Sequence, residues 1–305
     1  MAAPNAQWEA NRPGAVPRFL IWGAEGWIAG HLVALLRRQG KEVTTTKIRM
    51  ENRETVALKL AKVRPTHVFN AAGCTGRPNV DWCEENKEAT LRSNAIGALN
   101  LVDCCFQARV HCTVLATGCI YQYDAAHPIG GPGYTEEDEP NFRGSFYSMT
   151  KGHVEAIMKQ YNNCLILRLR MPVSDDLHLR SFVTKIMTYD HIVDVPNSHS
   201  ILHDLLPAAV LLAEMNEVGV YNFTNPGAIS HNQVLDLFRE IVRPALTYQN
   251  FSLDEQAKIL KAGRSNCELD STKLVTKLRQ FGYEVPEIGD AYRQCFERMK
   301  AAGVE

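Results

Sequence analysis

From Arg18 onward, short apolar runs alternate with stretches that carry apolar residues at helical spacing. A chain that switches repeatedly between these two periods has few options: parallel strands joined by right-handed helical crossovers, layered as a doubly wound α/β sheet. Residues 18–22 read as the first strand and 27–39 as the first helix, closed by Gly40. A threonine-rich strand over 42–46, a helix over 53–63 and a third strand over 66–70, after Pro65, repeat the unit. One long helix is expected over 84–108, then a strand over 110–117 and a loop rich in glycine and proline over 124–144. A helix over 146–161 leads to a strand over 164–169. Beyond residue 173 the pattern loosens into short helices (203–215, 231–242, 253–261) and small strands, with 218–223 one more strand of the main sheet. This reading makes 1–16 a flexible tail. It gives 17–173 and 190–224 to the sheet domain, and 174–189 and 225–305 to a smaller C-terminal α/β substrate lobe. That lobe is expected over the carboxyl ends of the strands, where ligands bind in such sheets.

Composition excludes several classes. A net charge of −1 over 305 residues argues against a nucleic-acid binder working through a basic surface. No apolar run reaches the roughly 18 to 20 residues of a membrane span. Nine cysteines at irregular spacing, without an export signal, read as reduced thiols of a cytoplasmic protein. None has zinc-like spacing, and the ten histidines form no ligand cluster, so no metal is expected.

Gly23-Ala-Glu-Gly26-Trp-Ile-Ala29-Gly30 follows the first strand and opens the first helix, the context of the Rossmann dinucleotide fingerprint. Gly23 permits the tight turn, Gly26 lets backbone approach a pyrophosphate, and Ala29 or Gly30 allows close helix packing. The helix N-terminus offers N–H groups to the phosphates, with Trp27 and Ile28 beside them. Cofactor choice is read at the end of the second strand, where an acidic residue would select NAD. Here cations follow in Lys47-Ile-Arg49, and Arg49 is the candidate for a 2′-phosphate. NADPH is therefore favoured, with NADH the weaker alternative. A solvated basic turn, with Glu51 as the partner of Arg49, is the other reading.

Tyr147 and Lys151 are four residues apart, on one face of a helix. A phenol ordinarily ionises near pH 10, and a neighbouring ammonium favours its phenolate. Tyr147 is suited to donate a proton to a carbonyl oxygen as a nicotinamide delivers hydride to its carbon. Lys151 is suited to hold the ribose. Thr117, at the end of its strand, offers a hydroxyl to the same carbonyl.

Together these residues resemble the extended short-chain dehydrogenase/reductase superfamily. The resemblance implies that Asn70-Ala71-Ala72-Gly73 lies against the adenine and ribose of the cofactor, and that Asn94 supports the active site. It narrows at longer strings: residues 73–84, Ala116-Thr-Gly-Cys-Ile-Tyr121, Gly144-Ser-Phe-Tyr-Ser-Met-Thr-Lys151, residues 221–232 and residues 264–273. These look like the bifunctional nucleotide-rhamnose epimerase-reductases of plants and fungi, over nearly the whole chain from Arg18. That family converts UDP- or dTDP-4-keto-6-deoxyglucose to the L-rhamnose nucleotide. Its cofactor implies roles for Gly23, Gly26, Trp27, Ile28, Arg49, Asn52, Asn70, Asn94, Tyr147 and Lys151. Asn52 stands where resembling chains have an aspartate, and Ala29 where they have a third glycine.

Such an enzyme needs a second pair of acid/base groups, because inversion beside a ketone removes a proton from one face and returns one to the other. By position Cys119 and Lys185 match that pair, and Lys185 needs desolvation to lower its pKa. Arg77, Asn79, Arg170 and Arg264 are candidates for substrate and diphosphate, which favour bidentate arginines. Cys83 and Asn197 are further candidates for the substrate. The superfamily implies a homodimer through the long helix and the Tyr147 helix. Two alternatives stand beside this reading: a monofunctional 4-ketoreductase, and a binding partner like the regulatory subunit of methionine adenosyltransferase.

Overall fold

The computed structural model describes residues 16–76 and 79–304. Six strands, β1 (Arg18–Trp22), β2 (Glu42–Thr46), β3 (His67–Asn70), β4 (His111–Thr117), β5 (Cys164–Leu169) and β6 (Gly219–Asn222), form one parallel sheet in the order β2-β1-β3-β4-β5-β6. The chain steps from β1 out to β2, then back past β1 to β3, so the topological switch point lies between β1 and β3. β3 and β5 are buried along their whole length, and each buries polar side chains as well as apolar ones, His67 and Asn70 in β3 and Arg168 in β5.

Twelve α-helices are described: α1 (Trp27–Arg38), α2 (Arg53–Val63), α3 (Asp81–Glu85), α4 (Lys87–Leu91), α5 (Ala98–Gln107), α6 (Phe146–Met158), α7 (Phe182–Met187), α8 (Leu202–Glu214), α9 (His231–Ile241), α10 (Leu253–Ile259), α11 (Thr272–Arg279) and α12 (Ile288–Ala301). None is long and apolar enough to cross a membrane. The single helix expected over 84–108 is instead broken into three pieces. Asn86, with φ −123° and ψ 50°, interrupts it, and a π-helical segment over Arg92–Gly97 joins α4 to α5. Such a bulge inserts one residue into the turn and re-aims the side chains around it.

The chain divides into two compact units. The first runs through Ala116 and takes in Thr150–Leu167 and Ala209–Val220; the second comprises Thr117–Met149, Arg168–Ala208 and the chain from Tyr221. In the first, Leu20, Trp22, Val68 and Val114 from the strands pack with Leu101, Val102 and Cys105 of α5. In the second, α7, α9 and α12 bury Phe182, Phe238, Tyr292 and Phe296 around Ile201. The small strands expected in the C-terminal lobe are only isolated bridges, such as Tyr134 with Leu269 and Asn197 with Ile229. Their backbone bonds are supplemented by side chains, as in the hydrogen bond from the Leu269 amide to Ser198 Oγ. All nine cysteines are unpaired, and only Cys74 and Cys119 reach partial exposure.

Two local devices in the first unit make measurable demands. Asn52 caps α2, its Oδ1 accepting from the Thr55 amide at 3.1 Å. Asn52→Ala should therefore lower the unfolding free energy by about 1 kcal/mol, read from denaturant titration. At the start of β3 and β4, His67 and His111 lie in register, with ring centroids 5.5 Å apart, and both are buried. Burial first, and the neighbouring His111 second, lower the pKa of His67 to about 3. A free histidine titrates near 6.5, so the stability from keeping His67 neutral is complete above pH 6.5 and is lost as pH falls from there toward 3. By pH 5 the loss from His67 should be about 2 kcal/mol. Urea unfolding at pH 7.5 and 5 should show it, and the fall should shrink by that amount in His67→Gln. An identical pH response in that variant would rule out a neutral buried His67.

Candidate active site

In the first unit, Gly23 leaves β1 at φ +77°, and the Gly26 amide donates back to its carbonyl at 2.8 Å. A Cβ on Gly23 would lie 2.6 Å from the Ala72 nitrogen, so only glycine fits where the loops after β1 and β3 meet. Gly26 precedes α1 with no side chain capping its first amides. A helix N-terminus that follows a glycine is the feature a pyrophosphate needs. Trp27 and Ile28 are half-buried in that first turn. Ala29 is the residue packed inside, whereas Gly30 is exposed with open space around it. Alanine in place of a third glycine is therefore a packing choice. These residues fit a dinucleotide.

The loop after β3 is shaped by amides. Asn70 is buried and its Oδ1 accepts from the Ala72 amide at 3.1 Å, holding Ala71, Ala72 and Gly73 in an open turn. Asn94, buried in the π-helical segment, grips the backbone of Cys74 at both ends. Its Oδ1 accepts from the Cys74 amide and its Nδ2 donates to the Cys74 carbonyl, both at 2.7 Å. Asn79, two residues before the start of α3, accepts from the Asp81 amide at 2.9 Å. Arg77 lies outside the described residues.

Several expectations change in the structure. Arg49 is 78% exposed and bound to Glu51 at 2.8 Å, the solvated pairing of the alternative reading. Asn52, expected on the adenine side, is exposed and uses its Oδ1 to cap α2. Cys83 is 0% exposed: burial pushes its thiol pKa up, a hydrogen bond with Thr90 opposes this, and no surface remains for substrate. Arg170 and Asn197, expected at the substrate, are both 0% exposed. The Arg170 guanidinium donates to the Gly118 carbonyl, to the hydroxyl and carbonyl of Ser265, and to Asn197 Oδ1. Asn197 Oδ1 also accepts from the Cys267 amide. These two residues are framework.

That framework holds the turn between Thr117 and Cys119 in the second unit. Thr117 ends β4, and its Oγ1 accepts from the Cys119 amide at 3.1 Å. Between them, Gly118 is so tightly enclosed that a Cβ would lie 2.5 Å from Leu269 and 2.9 Å from Arg170. Cys119 emerges half-buried from this turn. Lys185, half-buried on α7, is close enough to Cys119 for the two to influence one another electrostatically. Burial, then the positive charge of Arg180, lower the Lys185 pKa, while Cys119 acts in the opposite sense. Arg264 is half-buried, with one guanidinium nitrogen on the Ala262 carbonyl.

The helix α6 brings the phenol. Ser145 fixes its start, accepting from the Ser148 amide at 3.1 Å and bonding the Ser148 hydroxyl at 2.8 Å. Tyr147 follows, half-buried, and Lys151 stands one turn further on. Burial lowers the Lys151 pKa and Glu155, a buried carboxylate on the next turn, raises it. Sequence reasoning overlooked Arg180 and Glu155. A charged residue four or five positions from a proposed lysine was the available signal for both.

The sequence pattern of the NAD dependent epimerase/dehydratase family matches residues 19–189. The chain is 51% identical over 261 residues to the bifunctional dTDP-4-dehydrorhamnose 3,5-epimerase/dTDP-4-dehydrorhamnose reductase of Arabidopsis thaliana, covering 85% of this chain and 87% of that one. It is 48% identical to a trifunctional UDP-glucose 4,6-dehydratase, epimerase and reductase of the same plant, covering 84% of this chain but only 39% of that longer protein. Among solved structures, the L780 UDP-rhamnose synthase of Acanthamoeba polyphaga mimivirus superposes with a TM-score of 0.87 at 35% identity, over 93% of this chain and 100% of that one. With the pattern matched over more than half its length, and relatives this similar along most of it, the chain belongs to the NAD-dependent epimerase/dehydratase family.

Proposed function

We propose that the chain is a bifunctional 3,5-epimerase and 4-keto-reductase. It would convert UDP-4-keto-6-deoxy-D-glucose, or the dTDP form, to the L-rhamnose nucleotide with NADPH. One observation carries this reading: Cys119 and Lys185 are electrostatically coupled in the unit that also supplies Thr117 and Tyr147. A reductase alone has no use for that second pair. The Arabidopsis relative, named for both activities and matched along most of its length, supports it.

The 4-keto group acidifies the hydrogens on carbons 3 and 5, since loss of either proton gives an enolate. Cys119 and Lys185 serve as the proton acceptor and donor on opposite faces of the sugar, and the lowered pKa of Lys185 makes its proton exchangeable nearer neutrality. The Thr117 hydroxyl and the Tyr147 phenol donate hydrogen bonds to the enolate oxygen. In the second reaction Tyr147 transfers its proton to the carbon-4 oxygen, and Lys151, on the same helix face, favours the resulting phenolate and holds the nicotinamide ribose. Bound NADPH supplies the hydride that carbon 4 receives. Arg264 takes the substrate diphosphate.

A homodimer and a cytoplasmic location belong to the same proposal. Leu91, Ile96, Phe106 and Ile157 leave an apolar stripe on the α4–α5 segment and α6, and nine unpaired thiols suit a reducing compartment. Sedimentation should give twice the chain mass, falling to the monomer in an Ile96→Glu, Ile157→Glu double variant.

The two chemistries separate by mutation. Tyr147→Phe should slow NADPH oxidation at least a hundredfold while deuterium still washes into carbons 3 and 5 from solvent. Cys119→Ala should abolish the wash-in to a similar degree and leave reduction of an already epimerised ketone. Product analysis of the unaltered protein decides the whole reading. An unepimerised 6-deoxy sugar would remove the roles of Cys119 and Lys185, and no NADPH loss from folded protein would sink the proposal.

A further inference from the structure

Lys47, the residue immediately after β2, forms an ion pair with Glu25 of the glycine loop. Both side chains stand in solvent, 77% and 71% exposed. They line one groove of about 420 Å³ together with Ala24 of the same loop, Thr45 at the end of β2, and Arg37 of α1. Arg49 is not among the groove's lining residues, and its guanidinium is held by Glu51 instead. Of the two cations that line this groove, Arg37 and Lys47, the one held against the nucleotide loop is Lys47, and it already has a carboxylate for company.

That pairing bears on the choice between the two nicotinamide dinucleotides. A ribose 2′-phosphate carries close to two negative charges near neutral pH. It would compete with Glu25 for the Lys47 ammonium and, once there, would remain beside the displaced carboxylate. A cofactor with a free 2′-hydroxyl leaves the pair intact and can donate to Glu25. The existing pair is exposed and screened by salt, so it yields readily. We propose that Glu25 is the residue that sets cofactor selectivity. The Glu25–Lys47 pair acts as a displaceable counter-charge, Lys47 binds the 2′-phosphate, and Glu25 narrows the advantage of NADPH over NADH so that the chain takes both. This rests on the dinucleotide site of the proposed function and deepens it.

The test needs no turnover. Calorimetric titration of the full chain with adenosine 2′,5′-bisphosphate and with 5′-ADP reads the 2′-phosphate contribution through the change that each substitution makes in the ratio of the two affinities. Glu25→Gln should tighten the bisphosphate about three- to tenfold and leave 5′-ADP unchanged. Lys47→Gln should weaken the bisphosphate about tenfold and flatten its salt dependence. Arg49→Gln should keep the ratio of the two affinities within about twofold. NADPH and NADH, titrated by fluorescence, should follow the same order. The inference is overturned if Arg49→Gln carries the loss while Lys47→Gln is neutral, or if Glu25→Gln leaves the ratio unmoved. Failure of all four ligands to bind the folded protein would instead overturn the dinucleotide site itself, a distinct result.

Discussion

A guanidinium with no access to water organises the catalytic unit. Isolated, such a charge would be strongly disfavoured; here the two terminal nitrogens of Arg170 donate to the Gly118 carbonyl, both oxygens of Ser265 and the Asn197 side-chain oxygen, while its buried Nε is left without a partner among the described residues. Those partners lie outside the six strands of the sheet, Asn197 making only an isolated bridge with Ile229. The arginine adds links that such short pairing lacks. It ties the turn that carries Cys119 to the 265–269 stretch, and Asn197 passes the constraint to Cys267. Gly118 completes the arrangement, because any side chain there would strike Leu269 and the arginine's own stem. The positions of Thr117 and Cys119 follow from this clamp more than from the sheet that precedes them.

The alternation of periods was enough to locate all six strands and the helices next to them, because most of the strands are buried and all are bounded by turns, while the more exposed β2 declares itself by its run of threonines. The glycine loop was legible for a related reason: a left-handed residue pressed against another backbone admits no side chain, so the demand is written in the residue itself. Other features depend on partners far away in the chain and leave no local mark. Arg170 looks the same in sequence whether it meets a phosphate or a carbonyl. Cys119 and Lys185 are 66 positions apart, and only the fold brings their charges within reach. Lys47 and Arg49 differ in their immediate neighbours, which spacing does not reveal. The C-terminal helix is another matter. Ile288, Ala291, Tyr292, Cys295, Phe296 and Met299 recur at helical spacing, and that stripe was available to be read.

The candidate site economises on groups. Thr117 and Tyr147 can stabilise an oxyanion at carbon 4 whether it belongs to an enolate or to a ketone accepting hydride, since both place negative charge on the same oxygen. Only the proton-transfer pair at the neighbouring carbons has to be added. In the proposed bifunctional reading that addition is Cys119 on a turn and Lys185 on a helix of six residues.

The π-helical segment at Arg92–Gly97 carries a consequence for how this region tolerates change. In an α-helix each residue advances the face by about 100°, so one residue more or less turns everything beyond it by that angle. Asn94 grips Cys74 only because the surplus residue is there, while Leu101, Val102 and Cys105 find the core on the far side of it. A deletion of a single residue within the segment would restore ideal helical winding and yet put one of those two sets out of phase. Regular geometry here would be the defect, and length is conserved by phase rather than by any one side chain.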